Sequence, residues 1–207
     1  MQSLEDVLEY DNPHVVEKFA SQHGLELSDS IDIFNETKRW LWFAANADIP
    51  SISIYPSMRV IDEMWHVFIL FTHDYTEFCN KYFGRFLHHA PNVEGHGDPT
   101  DPAALKETIR CELNEMHRLL GERTMLKWFV SYRHTYGFHK TSSRVEKFET
   151  VGEALQTVDA QRLQPGLNSE GFLEALTAVQ LPTKKCTCFG AGSPSCGPSK
   201  CVCNKTV

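Results

Sequence analysis

The sequence predicts an all-α fold, a single bundle-like domain of about six helices over residues 1–182, followed by an irregular cysteine-rich tail over 183–207. Three observations carry that prediction. Apolar residues recur at helical spacing through most of the chain up to Gly137, and helix start and stop signals such as Asn12-Pro13, Gly24 and Asp101-Pro102 bracket the runs. Five of the seven cysteines fall between Cys186 and Cys203, where Gly, Pro, Ser and Lys replace large apolar side chains. At 207 residues and 42% hydrophobic content, the chain can bury one substantial core but not two.

Asn12 is a side-chain cap and Pro13 suits a first helical position, so a helix runs from 13 to 23 and stops at Gly24. From Ser28 or Asp29 to Ala47, Ile31, Phe34, Leu41, Trp42 and Ala45 recur near helical spacing, with the tryptophans expected to anchor the core. Residues 51–56 alternate like a strand but end in Pro56 without an evident partner, and read as an extended connector. One long helix is expected from Ser57 to Tyr82, broken at Gly84. Pro, Gly and acidic residues mark 91–102 as a loop containing His96, from which Asp101 caps the next helix. Leu105, Ile109, Leu113, Met116 and Leu120 carry that helix to Gly121, and Met125, Trp128, Phe129 and Tyr132 carry another to Gly137. Val145–Val158 and Ser169–Val179 read as short helices around Pro165 and Gly166.

Composition narrows the function classes. A formal net charge of -7 disfavours the clustered Lys and Arg that nonspecific nucleic-acid binding requires, so no nucleic-acid partner is expected. Apolar runs such as Val67–Phe71 fall well short of the roughly 20 residues of a membrane-spanning helix, so no membrane partner is expected either. The acidic opening residues and the odd cysteine count suggest a cytoplasmic protein with free or metal-bound thiols. Cys79 and Cys111 sit in helical pattern and are expected to be buried, and no serine elbow, Walker loop or dinucleotide glycine fingerprint is present.

The chemistry-bearing residues concentrate on the central helix. At 100° per residue, Asp62, His66, Ile69 and His73 share one face. Asp62 and His66, at i and i+4, can reach one ion, whereas His73 lies about 10 Å of helix rise from His66 and is too far. Glu63 and His66 also form the Glu-x-x-His unit of helical di-iron bundles, but the second copy such bundles need is missing. Further ligands are expected from His88 or His89, of which one would face the pair. One carboxylate and two imidazoles suit iron(II) or zinc with positions left open for water or substrate. The bland alternative is an acid and base pair that merely supports the helix.

Val60-Ile61-Asp62-Glu63-Met64-Trp65-His66, continued by Phe83-Gly84-Arg85-Phe86-Leu87-His88-His89-Ala90-Pro91, resembles the glycine-rich domain-containing protein-like family. Where some relatives carry a second histidine just after the Trp-His pair, this chain has Phe68. The resemblance implies that His66, His88 and His89 belong to one metal or polar site; it names no reaction.

In the tail, Cys186, Cys188, Cys196, Cys201 and Cys203 form C-x-C-x7-C-x4-C-x-C, a soft-ligand set suited to copper(I) or zinc. The sequence thus predicts a metal-binding helical protein, either an iron- or zinc-dependent enzyme on a small-molecule or peptide substrate, a noncatalytic interaction module, or a metal-handling protein. It identifies no catalytic residue and no protein partner.

Overall fold

The computed structural model describes residues 2–49, 52–89, 102–138, 144–148, 171, 173 and 174. Among these the architecture is all-α with one minor two-stranded sheet. Helix α1 (Leu4–Leu8) opens with a capping box in which Ser3 and Asp6 satisfy each other's backbone N–H groups. Helix α2 (Pro13–His23) starts at the Asn12 cap and ends at Gly24, whose φ of 69° needs a residue without a Cβ penalty. Both ends lie where the local signals put them.

Helix α3 (Leu27–Asn46) is the central element and packs against α1, α2 and α4. Lys38, buried at 2% exposure, donates to the carbonyls of Leu8 (2.8 Å) and Tyr10, so its ammonium caps the end of α1. Both α3 tryptophans meet the core, to different degrees. Trp40 is fully buried, 4.9 Å from Trp65, but Trp42 is half-buried and donates to the Gln2 carbonyl, and Ile31 is 51% exposed. Ile31 and Trp42 are eleven positions apart and share a face at the edge of the core, where Trp42 packs partly buried against it while Ile31 is exposed.

Between α3 and the next helix, Ile52, Ile54 and Tyr55 form a buried extended connector, and a 3-10 turn at Pro56–Met58 leads into α4 (Arg59–Leu70). The expected single helix over 57–82 is two helices. The chain breaks at Phe71 (φ -84°, ψ 63°), and α5 (Thr72–Phe83) runs on in a new direction to a left-handed Gly84. No Gly or Pro marks the break, so periodicity alone could not reveal it. Its consequence is that the Trp65 indole donates to the Tyr75 hydroxyl at 3.0 Å. In one straight helix these residues would be about 15 Å apart along the axis.

Helix α6 (Pro102–Leu126) has Gly121 at φ 76° within it, which marks the expected pause as a kink. Cys79 is buried as expected, but Cys111 is exposed. The α6 core row is Ile109, Leu113 and Met116, and Cys111 lies two residues, some 200°, from Ile109. After α6 comes a π-helical turn (Lys127–Ser131), then α7 (Tyr132–Thr135). The wider turn directs Lys127 and Trp128 at α3: Lys127 Nζ lies 2.6 Å from Asp32 and 2.9 Å from Glu36, and Trp128 Nε1 donates to Glu36 at 2.8 Å.

Strands β1 (Tyr136–Phe138) and β2 (Val145–Lys147) pair antiparallel with Phe138 opposite Val145. This corrects the expected helix beginning at Val145. The Val145 N–H is taken by His23 Nδ1 (2.9 Å) and Arg144 Nε donates to the His23 carbonyl (2.8 Å), so tertiary contacts with the end of α2 hold the segment extended. The cysteine-rich tail and the 91–101 loop lie outside the described residues. No described helix is long and apolar enough to cross a membrane.

Candidate metal centre

Helix α4 presents two faces. Val60, Ile61, Met64, Trp65 and Phe68 are buried against the rest of the domain, while Arg59, Glu63 and His66 line the outer side, with Asp62 at the border and itself buried at 3% exposure. The helix spacing therefore sets Asp62 and His66 one turn apart, as i and i+4 require. The third member arrives from the segment after α5. Gly84 turns the chain back, Arg85 donates to the Ala45 carbonyl (3.3 Å), and the Tyr75 hydroxyl donates to the Leu87 carbonyl (2.7 Å). Leu87 is buried, and two residues later His89 lies over α4 with its ring 4.3 Å from Trp65 and 4.4 Å from His66.

His89 Nε2 and Asp62 Oδ1 are 3.0 Å apart, and these side chains are only 8% and 4% exposed. His66 is the open member, at 46%. One ligand atom from each of Asp62, His66 and His89 lies within 4.8 Å of the other two. Donors bound to one ion at about 2.1 Å stand roughly 3–3.5 Å apart in tetrahedral geometry. The Asp62 and His89 atoms already meet that spacing, and the exposed His66 is the member that would have to move to complete it. The donor set of two imidazoles and one carboxylate fits iron(II) or zinc, and it leaves the side toward solvent open.

The electrostatics centre on His66. The Glu63 carboxylate beside it raises its pKa above the ordinary histidine value; partial burial opposes this, and Asp62 reinforces it. Because an ion must displace a proton from imidazole, affinity here should rise with pH. Neither described cysteine competes as a nucleophile. Burial pushes the Cys79 thiol up to about 11, and partial desolvation with the Glu107 carboxylate raises Cys111.

Of the residues expected to bind metal in this domain, Asp62, His66 and His89 come together and His88 does not. His88 is exposed, with its ring 4.8 Å from Phe86, because neighbouring residues in an extended segment project to opposite sides. His73, excluded by distance, is 82% exposed and pairs with Asp74 and Glu77. Cys186, Cys188, Cys196, Cys201 and Cys203 lie outside the described residues. Sequence reasoning missed the relay from Trp65 through Tyr75 to Leu87, which seats His89. Its only signal was aromatic content, since the bend at Phe71 that assembles it leaves no mark in the residue pattern.

The family model that matches this chain spans residues 5–126, more than half of its length, from the first turn of α1 to the end of α6. The chain belongs to the UCP032817-like family. This corrects the resemblance to the glycine-rich domain-containing protein-like family, which rested on two short motifs around His66 and His89, whereas the UCP032817-like match extends from within α1 to the end of α6. No curated protein and no solved structure matches the chain. The UCP032817-like match holds Asp62, His66 and His89, but not β1 or β2.

Proposed function

We propose that this UCP032817-like protein binds a divalent transition metal ion, iron(II) or zinc, through Asp62, His66 and His89. The supporting observation is the convergence of one carboxylate and two imidazoles from α4 and the post-α5 segment, all within 4.8 Å. A buried Asp62–His89 pair supplies a rigid half, and the exposed His66 supplies access from solvent. With three protein ligands among the described residues, the ion keeps positions for water and for a small-molecule or peptide substrate, which suits iron-dependent oxidation or metal-assisted hydrolysis. The cysteine-rich tail is a second, soft-metal site for copper(I) or zinc. A reducing compartment such as the cytoplasm keeps those thiols available.

A second reading has its own observation. The 3.0 Å contact between His89 and Asp62 pairs the two groups without any ion, as in a noncatalytic module with a buried hydrogen-bond pair. Metal analysis separates the two. Full-length chain with the five tail cysteines replaced by serine should carry, or take up on reconstitution, one iron or zinc per chain. Failure to bind either after reconstitution would refute the metal centre and leave the hydrogen-bond reading.

A further inference from the structure

Metal-bound histidines commonly give their second ring N–H to a carboxylate, which fixes the tautomer and aims the ligating nitrogen. On the outer face of α4, Arg59, Glu63 and His66 follow one another at i, i+4 and i+7. Glu63 divides its carboxylate between its neighbours: Oε2 lies 3.8 Å from His66 Nδ1, and Oε1 lies 3.5 Å from Arg59 Nε. Both separations are ion-pair contacts, longer than hydrogen bonds. The Glu63 side chain is only 15% exposed, against 46% for His66 and 45% for Arg59, so the carboxylate is the restrained member of the row.

Arg59 is held in turn. Its guanidinium carbon lies 4.0 Å from the centre of the Phe138 ring, close enough for a cation to be held by the ring face. Phe138 is the last residue of β1 and pairs with Val145, whose N–H is bonded to His23 at the end of α2. A continuous row of contacts therefore runs from α2 through the hairpin to Arg59, Glu63 and His66. The hairpin lies beyond the part of the chain that the UCP032817-like match covers.

We infer that Glu63 is the positioning residue of the metal centre: it holds His66 Nδ1–H so that Nε2 is the ligating atom, and Arg59, seated on Phe138, holds Glu63. This inference rests on the metal reading above. It assigns work to three residues outside the ligand set, and it makes the hairpin part of the centre's support. Glu63 is not itself in the ligand set: among the described residues the ligand atoms that converge within 4.8 Å are those of Asp62, His66 and His89.

The test uses cobalt(II) as probe on the full chain with Cys186, Cys188, Cys196, Cys201 and Cys203 replaced by serine. Glu63→Ala should weaken cobalt binding about 10–100-fold, the usual effect of losing such an outer partner, and alter the visible ligand-field spectrum. Glu63→Gln should restore most of the affinity, because an amide oxygen can take the Nδ1 hydrogen as the carboxylate does once the bound ring closes the 3.8 Å contact. Phe138→Ala and Arg59→Ala should weaken binding in the same direction, with the circular dichroism spectrum and melting temperature close to the parent's. Unchanged cobalt affinity and spectrum in Glu63→Ala would overturn the inference while leaving the metal centre intact. Equal loss in Glu63→Ala and Glu63→Gln would also overturn it, by making Glu63 a ligand. Failure of the parent chain to bind cobalt refutes the metal centre and this inference with it.

Discussion

Replacing Tyr75 by phenylalanine removes one oxygen atom from the middle of the domain and leaves everything else in place. The ring stays packed edge-on against Phe68 and Phe86, both at 5.1 Å, so van der Waals contact is conserved. What disappears is the hydroxyl that accepts from Trp65 Nε1 at 3.0 Å and donates to the Leu87 carbonyl at 2.7 Å. Trp65, Tyr75 and Leu87 are all buried to 1% exposure or less, so water cannot replace the lost oxygen. A buried polar group left unsatisfied costs about 1–3 kcal/mol. Two affected groups, partly relieved by relaxation and by the Cys79 thiol, which also meets the Leu87 backbone, give an expected loss of roughly 2–4 kcal/mol. For a chain of this size that lowers the melting temperature by roughly 4–16 °C. Chemical denaturation of the parent, Tyr75→Phe, Trp65→Phe and the double variant forms a cycle that isolates the Trp65–Tyr75 bond, with coupling of at least about 0.5 kcal/mol expected. Because Leu87 precedes His89 by two residues, the same substitution should also weaken metal uptake. A stability loss under about 0.5 kcal/mol, within the range of ordinary surface substitutions, would refute the claim that this relay holds the bend and the His89 segment together.

Other expectations follow from single contacts. His89→Ala should reduce zinc or cobalt affinity by more than the 10–100-fold typical of outer partners, whereas His88→Ala should leave it unchanged; equal effects by titration calorimetry would contradict the placement of His89 over α4. His23 must be neutral at Nδ1 to accept from Val145, and burial lowers its pKa from 6.5. A base whose folded pKa is depressed contributes stability that is complete above the unfolded value and is lost as pH falls through the folded one. The stability advantage of the parent over His23→Phe should therefore shrink as pH drops below 6.5, and a pH-independent difference would count against that role. Deleting residues 183–207 should leave the helical circular dichroism spectrum and thermal unfolding unchanged but abolish tight copper(I) binding in competition titrations. Equal copper(I) affinity in full-length and truncated chains would eliminate the tail site.

What the residues by themselves determined was local. The α2 boundaries follow from Asn12, Pro13 and Gly24 because capping and left-handed termination depend only on adjacent backbone groups. The all-α class follows from a period of about 3.6 in the apolar pattern, and the pairing of Asp62 with His66 follows from the same helical geometry. Everything that depended on direction between elements was decided by tertiary structure. The break at Phe71 carries no local signal, yet it turns Tyr75 onto Trp65, fixes Leu87 and selects His89 over its neighbour His88. Val145–Lys147 reads as helix locally and becomes a strand because His23 and Tyr136–Phe138 satisfy its backbone from outside. Arg59 and Glu63 look like an ordinary i, i+4 ion pair beside His66, and only the folded chain shows that Phe138, nearly eighty residues later, seats Arg59 and ties the row to the hairpin. Local sequence encodes caps and periods because these are energies between near neighbours; the choice among histidines is an energy between segments, and it is settled by which arrangement buries the aromatic core with its polar atoms paired.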